Sequence, residues 1–419
     1  MRCGKNCTKH RLNPEVAHIL LGVTGSIAAY KTPALVRALQ KEGHRVSVIL
    51  TQAAQEFVAP LTLETLAQGK VLKDLWGTEA RGAQPGEWTQ HIALAKQADL
   101  LLIAPATAHT IAKLAQGLCD DLLSAVFLAT RKPSLIAPAM EGTMYRHPIV
   151  QRNLKRLERL PWVSIIPPAR GFLASGAHDT GRLASGARIL AAVERALSPP
   201  LLRGKKVLIT LGATRERWDD VRFLSNHSTG RMGWALAKAA YALGAQEIHL
   251  LAAHTEVPLY PHLFRVTRTP TAKDMLEAFQ QVYAGYDWLI FAAAVSDYTF
   301  AYRLPQKHKK SEREISLPLV AAPDILKWAG QNRQPHQLLI GFALEAAGEE
   351  KLAWEKLHCK GADWLAFNEI SPQTGMGSPT NALTLLSRWG HRHVIPLAPK
   401  PQVAREMLIF IARESPTQP

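Results

Sequence analysis

Between Val207 and Gly233 the chain reads VLITLGATRERWDDVRFLSNHSTGRMG, an apolar run that opens into small residues and then into hydroxyls, amides and arginines. Thr214, Arg215, Glu216, Arg222, Ser225, Asn226, Ser228 and Gly230 fall within seventeen positions. A strand ending in such a turn puts backbone N–H groups and the start of the next helix where a phosphate can be held. The layout suits a nucleotide-type ligand, and a plain structural connection would not need it.

Two series of elements must position these residues. The first opens with a strand from His18 to Gly25, followed by a helix from Ile27 to Glu42 that closes at Gly43. A strand Arg45 to Leu50, a helical stretch His91 to Gln97, a strand Leu100 to Ala104, a helix Thr110 to Ala129 and a strand Ser134 to Ala137 follow. Ser198, Pro199 and Pro200 then break the pattern, and a basic run from Arg203 to Lys206 precedes the second series. That series starts at Val207 to Thr210 and continues through a helix Met232 to Leu243. Strands follow at Ile248 to Leu251, Trp288 to Ala293, Leu338 to Phe342 and Trp364 to Phe367, with a closing hairpin at Ala382 to Leu386 and His393 to Leu397. Apolar strands alternating with helices predict an α/β fold of two tandem doubly wound parallel-sheet domains. The expected organisation is a flexible leader over 1–16, a first domain over 17–197, a linker over 198–206, a second domain over 207–412 and a tail over 413–419.

Composition narrows the function classes. With 419 residues, 47% hydrophobic and 20% charged, the chain has room for two or three domains, each with a core. Its longest apolar runs fall far short of the roughly 18 residues of a membrane span, and its start has no apolar signal region. A cytoplasmic location is expected, without membrane partners. The four cysteines, Cys3, Cys7, Cys119 and Cys359, are too few and scattered for a disulfide framework or a four-ligand zinc site, so no protein metal ligands are assigned. The net charge of +16 attracts polyanions, yet Lys and Arg are spread along the chain without a recognition-helix or zinc-finger pattern. Nucleic acid is therefore not expected as a partner. A nicotinamide-dependent reductase would need a clean GxGxxG and an acidic residue ending the second strand, and both are missing.

The order of motifs resembles one family. GVTGSIAAYK, HIALA, PATAHT, VRFLSNHSTGRMG and KHKK succeed one another as in the bifunctional coenzyme A biosynthesis proteins, in which phosphopantothenoylcysteine decarboxylase is fused to phosphopantothenate–cysteine ligase. The likeness runs from Ala17 to the C terminus. It implies a flavodoxin-like flavoprotein domain followed by a Rossmann-like ligase domain, a homo-oligomer, and 4′-phosphopantothenate, cysteine and CTP as small-molecule substrates.

In the ligase half the resemblance implies activation of the acid by CTP as an acyl-cytidylate, which the cysteine amine attacks. Cations and a magnesium ion, Mg²⁺, balance the triphosphate. Lys307 of Lys307-His308-Lys309-Lys310 is the position implied for triphosphate contact, although such runs are commonly exposed faces. Phe291, Ala292, Ala293 and Asp297 end an apolar strand where small residues let a base and ribose approach. Ala322, Pro323, Asp324 and Ile325 resemble an NPDI nucleotide loop with Asn replaced by Ala322. Phe342 and the lysines Lys356 and Lys360 complete the set; the two lysines are four apart and share a helical face, which could equally be solvated. Arg222 and Asn226 match positions that handle the acyl intermediate and phosphopantothenate, an Arg fork suiting an anion and an Asn amide a developing oxyanion. Leu211 and Ala213 replace smaller residues and tighten the turn.

In the first half the resemblance implies FMN, oxidation of the cysteinyl thiol, loss of carbon dioxide and reduction of the resulting enethiol. Gly25, Ser26, Thr51 and the turn Pro105, Ala106 and Thr107 resemble the FMN contacts. A GxxGS turn alone is weak, but here it follows a strand and opens a helix. His91 occupies the active-site histidine position and has a pKa suited to a base near neutrality; a purely structural histidine is the alternative.

Three departures fall on the chemistry. An amide has become His109, the substrate-binding Asn has become Glu141 while Met144 is kept, and an acidic cysteine of the flap has become Ser175. An ionised Glu141 would face a substrate carboxylate. Two like charges about 4 Å apart at an effective dielectric of about 20 repel by about 4 kcal/mol, roughly a thousandfold in binding. Arg146 or His147 is expected to pair with Glu141, or burial to keep it protonated. Ser175 is far too weak an acid to supply a proton as a thiol near 8.5 does, so the last reduction is expected to be slow. The leading expectation is both activities in one chain. Its alternative is a ligase whose first domain is an inactive FMN-binding scaffold or a regulatory flavoprotein.

Overall fold

The computed structural model describes residues 16–69, 71–75, 89–260, 263–309, 314–346, 348–371 and 374–416. Cys3, Cys7 and the rest of the expected leader before Val16, Lys310, and residues 417–419 of the expected tail lie outside the described residues. The chain divides into two compact units, one ending at Ser198 and the other beginning at Pro199.

In the first unit β1 (His18–Val23), β2 (Arg45–Leu50), β3 (Leu100–Ala106), β4 (Ser134–Pro138) and β5 (Val163–Ile165) form a parallel sheet in the order β2-β1-β3-β4-β5. Every residue of β1 and β3 is buried, as a strand covered by helices on both faces requires. Ile19, Leu21 and Val23 pack with Leu35, Val36 and Leu39 on one face, while Leu20 packs with Leu122, Leu123 and Val126 on the other. An antiparallel hairpin of β6 (Ala169–Phe172) and β7 (His178–Arg182) follows, then a helix over Gly186–Leu197 capped by Ser185.

Two expected helices are each split. The span from Ile27 is a tight 3-10 turn, Ile27–Lys31, followed by an α-helix, Thr32–Lys41. Pro33 explains the restart: it has no N–H to donate, and it is tolerated only in a first turn. The span to Ala129 is two helices, Ala108–Gln116 and Leu122–Ala129. Gly117 ends the first in the left-handed region (φ 76°), and Asp121 starts the second with a capping box.

The second unit holds β8 (Lys206–Leu211), the hairpin β9 (Arg215–Arg217) and β10 (Phe223–Ser225), β11 (Glu247–Ala252), β12 (Arg265–Arg268), β13 (Trp288–Phe291), the pair β14 (Tyr298–Phe300) and β15 (Leu319–Ala321), β16 (Leu338–Glu345), β17 (Trp364–Glu369), β18 (Thr380–Ser387) and β19 (Arg392–Pro399). Its main sheet runs β12-β11-β8-β13-β16-β17-β18-β19 among the described residues. It is parallel through β17, and β18 and β19 close it antiparallel. Val207, Ile209 and Leu211 pack towards the helices Arg231–Ala242 and Lys400–Glu414, and Leu208 towards the opposite layer.

In both sheets the strand order reverses beside the first strand, between β1 and β3 and between β8 and β13. At such a switch point neighbouring connections leave in opposite directions and open a crevice at the carboxyl ends of the strands.

Candidate functional site

At the β1/β3 switch point lies a cleft of about 990 Å³, lined among others by Gly25, Ser26, Thr51, Thr107, His109 and Met144. Thr24 Oγ1 donates to the Pro105 carbonyl (2.7 Å) and accepts from the Thr107 N–H (3.1 Å), fixing the turn after β3 against the end of β1. Thr107 Oγ1 accepts from Thr110 N–H (3.2 Å) and so caps the helix Ala108–Gln116; Ser26 caps the turn after β1 in the same manner. A Cβ at Gly25 would stand 2.5 Å from Ala53 Cβ, so only glycine allows this close approach. Thr51 Oγ1 is buried without a hydrogen-bond partner, a hydroxyl left for something entering the cleft. Hydroxyls, helix starts and this orphaned group fit a phosphorylated flavin such as FMN.

Ala106 is fully buried in β3 behind the cleft wall and does not line it. His91 is the second residue of the helix Gln90–Gln97, likewise away from the lining, with its Nδ1 buried and unpartnered. Ser175 is exposed at the tip of the β6–β7 hairpin, its Oγ accepting from Ala177 N–H (3.3 Å). Glu141 is half-buried just before the short helix Gly142–Arg146 and also off the lining.

The partners expected for Glu141 are engaged elsewhere. Arg146 pairs with Asp179 of β7 at 2.6 Å, and His147 Nδ1 accepts from Ile149 N–H at 3.3 Å. Glu141 still acts on Arg146 as a weaker, longer-range charge behind Asp179, and the Gly181 carbonyl accepts from Met140 N–H (3.0 Å) and draws the hairpin against this segment. The Arg146 guanidinium, with the N–H of Thr180, holds the Asp179 carboxyl down at about 2. Lys113, absent from the sequence expectations, is buried in the cleft wall and pairs with both Asp120 and Asp121. Burial acts to lower its pKa, but the two carboxylates prevail and raise it.

The second cleft, about 690 Å³, opens at the β8/β13 switch point. Phe291, Ala292, Ala293, Asp297, Ala322, Pro323, Asp324, Ile325, Phe342, Lys356 and Lys360 all line it, as does Asn226. Gly212, at φ 88°, turns the chain out of β8 where a Cβ would meet the His254 carbonyl at 2.3 Å. Thr210 Oγ1 accepts from Ala293 N–H (3.3 Å) and Thr214 Oγ1 from Ser296 N–H (3.0 Å), holding the exit of β13 open. Asn226 Nδ2 donates to the carbonyls of Ala294 (3.4 Å) and Val295 (3.2 Å). Asp324 caps the helix Ile325–Asn332 and pairs with Lys360, and Lys356 pairs with Glu345.

Two expected residues stand apart from this cleft. Lys307 is exposed and not among its lining residues. Arg222 instead lines a separate cleft of about 420 Å³ with Arg215, Arg217, His254 and Arg268. Its Nη1 donates to Asp219 Oδ2 (2.7 Å) and to the His308 carbonyl (3.1 Å). Asp219 is 1% exposed, and although burial opposes its charge, the N–H groups of Val221, Arg222 and His308 hold its carboxyl down at about 2. The basic run is thus tied through His308 to the Asp219 turn, a contact that sequence spacing does not encode.

The second cleft also contains residues that sequence reasoning missed. Lys400, 5% exposed, opens the helix Lys400–Glu414 and donates to the Gly375 carbonyl (3.1 Å); burial and then the Arg231 charge push its ammonium pKa down. Asn381, 4% exposed, lines the same cleft with its Oδ1 unpartnered. Nothing in the local sequence distinguishes either one. Among the described residues no group of three or more His, Cys, Asp or Glu is disposed to hold a metal ion.

Two protein-family models match the chain: "Flavoprotein" over residues 8–198, and "DNA/pantothenate metabolism flavoprotein C-terminal domain" over residues 202–414. The coenzyme A biosynthesis bifunctional protein CoaBC of Bacillus subtilis is 38% identical, covering 94% of this chain and 96% of the relative. Its counterpart from Escherichia coli is 37% identical over 93% of this chain and 95% of the relative. A crystal structure of the C-terminal domain of such a bifunctional protein is 36% identical, covers 51% of this chain and 97% of that one, and superposes with a TM-score of 0.44. Matched by relatives along almost its whole length, the chain belongs to the coenzyme A biosynthesis bifunctional proteins.

Proposed function

We propose that the two clefts carry successive steps of one synthesis, ligation in the second unit and decarboxylation in the first. As a family member the chain is a flavoprotein of coenzyme A biosynthesis with decarboxylase and ligase activities. The alternative of a ligase with an inert first domain is not favoured, since the relatives along both halves are bifunctional.

In the ligase reading, 4′-phosphopantothenate is activated by CTP in the second cleft as an acyl-cytidylate, and cysteine displaces CMP. The observation that carries this is the convergence on one switch-point crevice of the residues expected to touch the nucleotide, all but Lys307. Ala292 and Ala293 leave room for a base and ribose. Asn226 lines the cleft with its Nδ2 held by the Ala294 and Val295 carbonyls; exchanging one of these for the substrate would let it orient an acyl carbonyl. Magnesium would ride on the triphosphate oxygens and keep several waters, as Mg²⁺ does.

In the first cleft the hydroxyls of Ser26, Thr51 and Thr107 and the start of the helix Ala108–Gln116 would hold FMN. When bound, FMN supplies the oxidation that labilises the carboxylate and the reducing equivalents returned afterwards. Met144 and His109 shape the substrate side of the cleft, and Lys113 fixes Asp120 and Asp121 in its wall. We take residues 17–197 and 207–412 as the two catalytic domains. No described helix is long and apolar enough to cross a membrane, and a cytoplasmic homo-oligomer is the setting we infer. The reading is tested by CTP-dependent pyrophosphate release with 4′-phosphopantothenate and cysteine, followed by carbon dioxide release from phosphopantothenoylcysteine. Absence of the first sinks the ligase assignment, and absence of the second the decarboxylase assignment.

A further inference from the structure

The cleft of about 420 Å³ in the second unit carries charge that neither reaction uses. It opens on the β11 side of β8, whereas the second cleft opens on the β13 side. Ala252, Ala253 and His254 line it where β11 ends, and Arg268 lines it as the last residue of β12. The hairpin of β9 and β10 divides the two clefts. Arg215, Arg217 and Phe223 line the smaller one, while Asn226, next after β10, lines the second. The smaller volume still falls within the roughly 300–1,000 Å³ of small-molecule sites.

The charges around this space do not balance. Asp219 is answered by Arg222 and by the N–H groups of Val221, Arg222 and His308, and Asp220 is answered by Arg303 at 2.8 Å. Arg215, Arg217 and Arg268 line the same space and have no carboxylate partner among the described residues. The Arg215 guanidinium lies over the Phe223 ring at 4.4 Å, which fixes its plane without neutralising it. His254 registers the resulting field. Burial first, then the Arg215 charge, push its imidazole pKa down, and Arg268 adds to this against Glu256. Guanidinium forks that share one hollow repel one another until an anion enters, and each fork matches two phosphate oxygens at once.

We propose that Arg215, Arg217 and Arg268 form a binding site for a small diphosphate, separate from both switch-point clefts. A carboxylate would answer only one of these charges, whereas a diphosphate has oxygens for all of them. Arg222 is left out of the grip because Asp219 already takes its charge. The assignment does not depend on the reading of the second cleft, since it uses none of that cleft's lining residues.

Calorimetric titration of inorganic pyrophosphate into the full-length protein tests it, with saturating CTP present to fill the second cleft. Arg217 and Arg268 are exposed, so Arg217→Ala and Arg268→Ala do not put the fold at risk. We expect a single pyrophosphate to bind per chain and each substitution to weaken it about 10- to 100-fold, the worth of a charge-assisted contact. CTP affinity should change less than about twofold in both variants. ADP in place of pyrophosphate separates two sources of the same chemistry: it binds if the site takes the diphosphate end of a larger molecule, and fails if the site takes the free anion. No pyrophosphate binding to the wild-type protein, undiminished binding in both variants, or equal binding of sulfate at the same ionic strength overturns the proposal and leaves the second cleft as read. Displacement of the pyrophosphate by 4′-phosphopantothenate overturns it as well, because the space would then belong to the ligase substrate. A protein that does not bind CTP overturns the nucleotide reading alone, and the same pyrophosphate titrations without CTP still decide this site.

Discussion

The two clefts of this chain are built alike and were read from sequence with unequal success. Each sits where a doubly wound sheet reverses its strand order, and each is walled by the loops leaving two neighbouring parallel strands. In the second, nearly every nucleotide candidate lies on the wall. In the first, Gly25, Ser26, Thr51, Thr107, His109 and Met144 do, but His91, Glu141 and Ser175 do not, nor does Ala106, which the strand turns inward. Residues at strand ends are placed by the sheet, whose register is set by burial on both faces. Residues on hairpins and side loops are placed by contacts such as Arg146 with Asp179, or Asp219 with His308. The difference teaches that motif spacing is reliable where topology carries the residue and weak where a second segment must come to meet it.

If the clefts act independently, Asn226→Ala should lower ligase kcat about 10²- to 10³-fold, the usual loss for one oxyanion donor, with carbon dioxide release from phosphopantothenoylcysteine untouched. A parallel fall in both assays would break the division of labour. The next effect separates the units by acid sensitivity. His249 is fully buried in β11, bonded to Tyr286 and Thr267 at 3.0 and 2.9 Å; burial, with Arg265 nearby and against Glu247, lowers its pKa from 6.5 to about 4. The unfolded chain takes up this proton below about 6.5 and the folded one does not until about 4. Stability is therefore fully present above 6.5 and declines as pH falls from 6.5 to 4, by about 3 kcal/mol. Hydrogen exchange at pH 7 and pH 5 should show the β8–β11 core opening more readily at the lower value, and equal protection at both would refute this.

A smaller effect concerns Glu141, which has no ion-pair partner among the described residues. Glu141→Gln should lower KM for decarboxylation about tenfold if a carboxylate of the substrate stands about 12 Å from it, and more if it comes closer; an unchanged KM would show that the two charges never approach. The smallest concerns the hairpin. Asp179→Asn removes a partly exposed ion pair worth about 0.2–1 kcal/mol, so a decarboxylase KM shift beyond about fivefold would show that the hairpin is held chiefly by that pair.

The sequence by itself determined the fold class, since continuous apolar strands such as HILLGV and LLLIAPA can be satisfied only between two helical layers. It pointed, too, to the strand ends that wall the two clefts, because the turns after β1, β3, β8 and β13 hold small and hydroxyl residues that regular packing does not ask for. Only the tertiary structure decided the partners of the charges. Lys356 and Lys360 look like free cations in sequence and are neutralised by Glu345 and Asp324, whereas Lys400, an unremarked lysine opening the last helix, is buried in the cleft without a carboxylate partner among the described residues. The reason is range. Secondary structure follows from neighbours a few positions apart, but an ion pair or a buried cation depends on segments tens to hundreds of residues distant, which meet only when the sheet has formed.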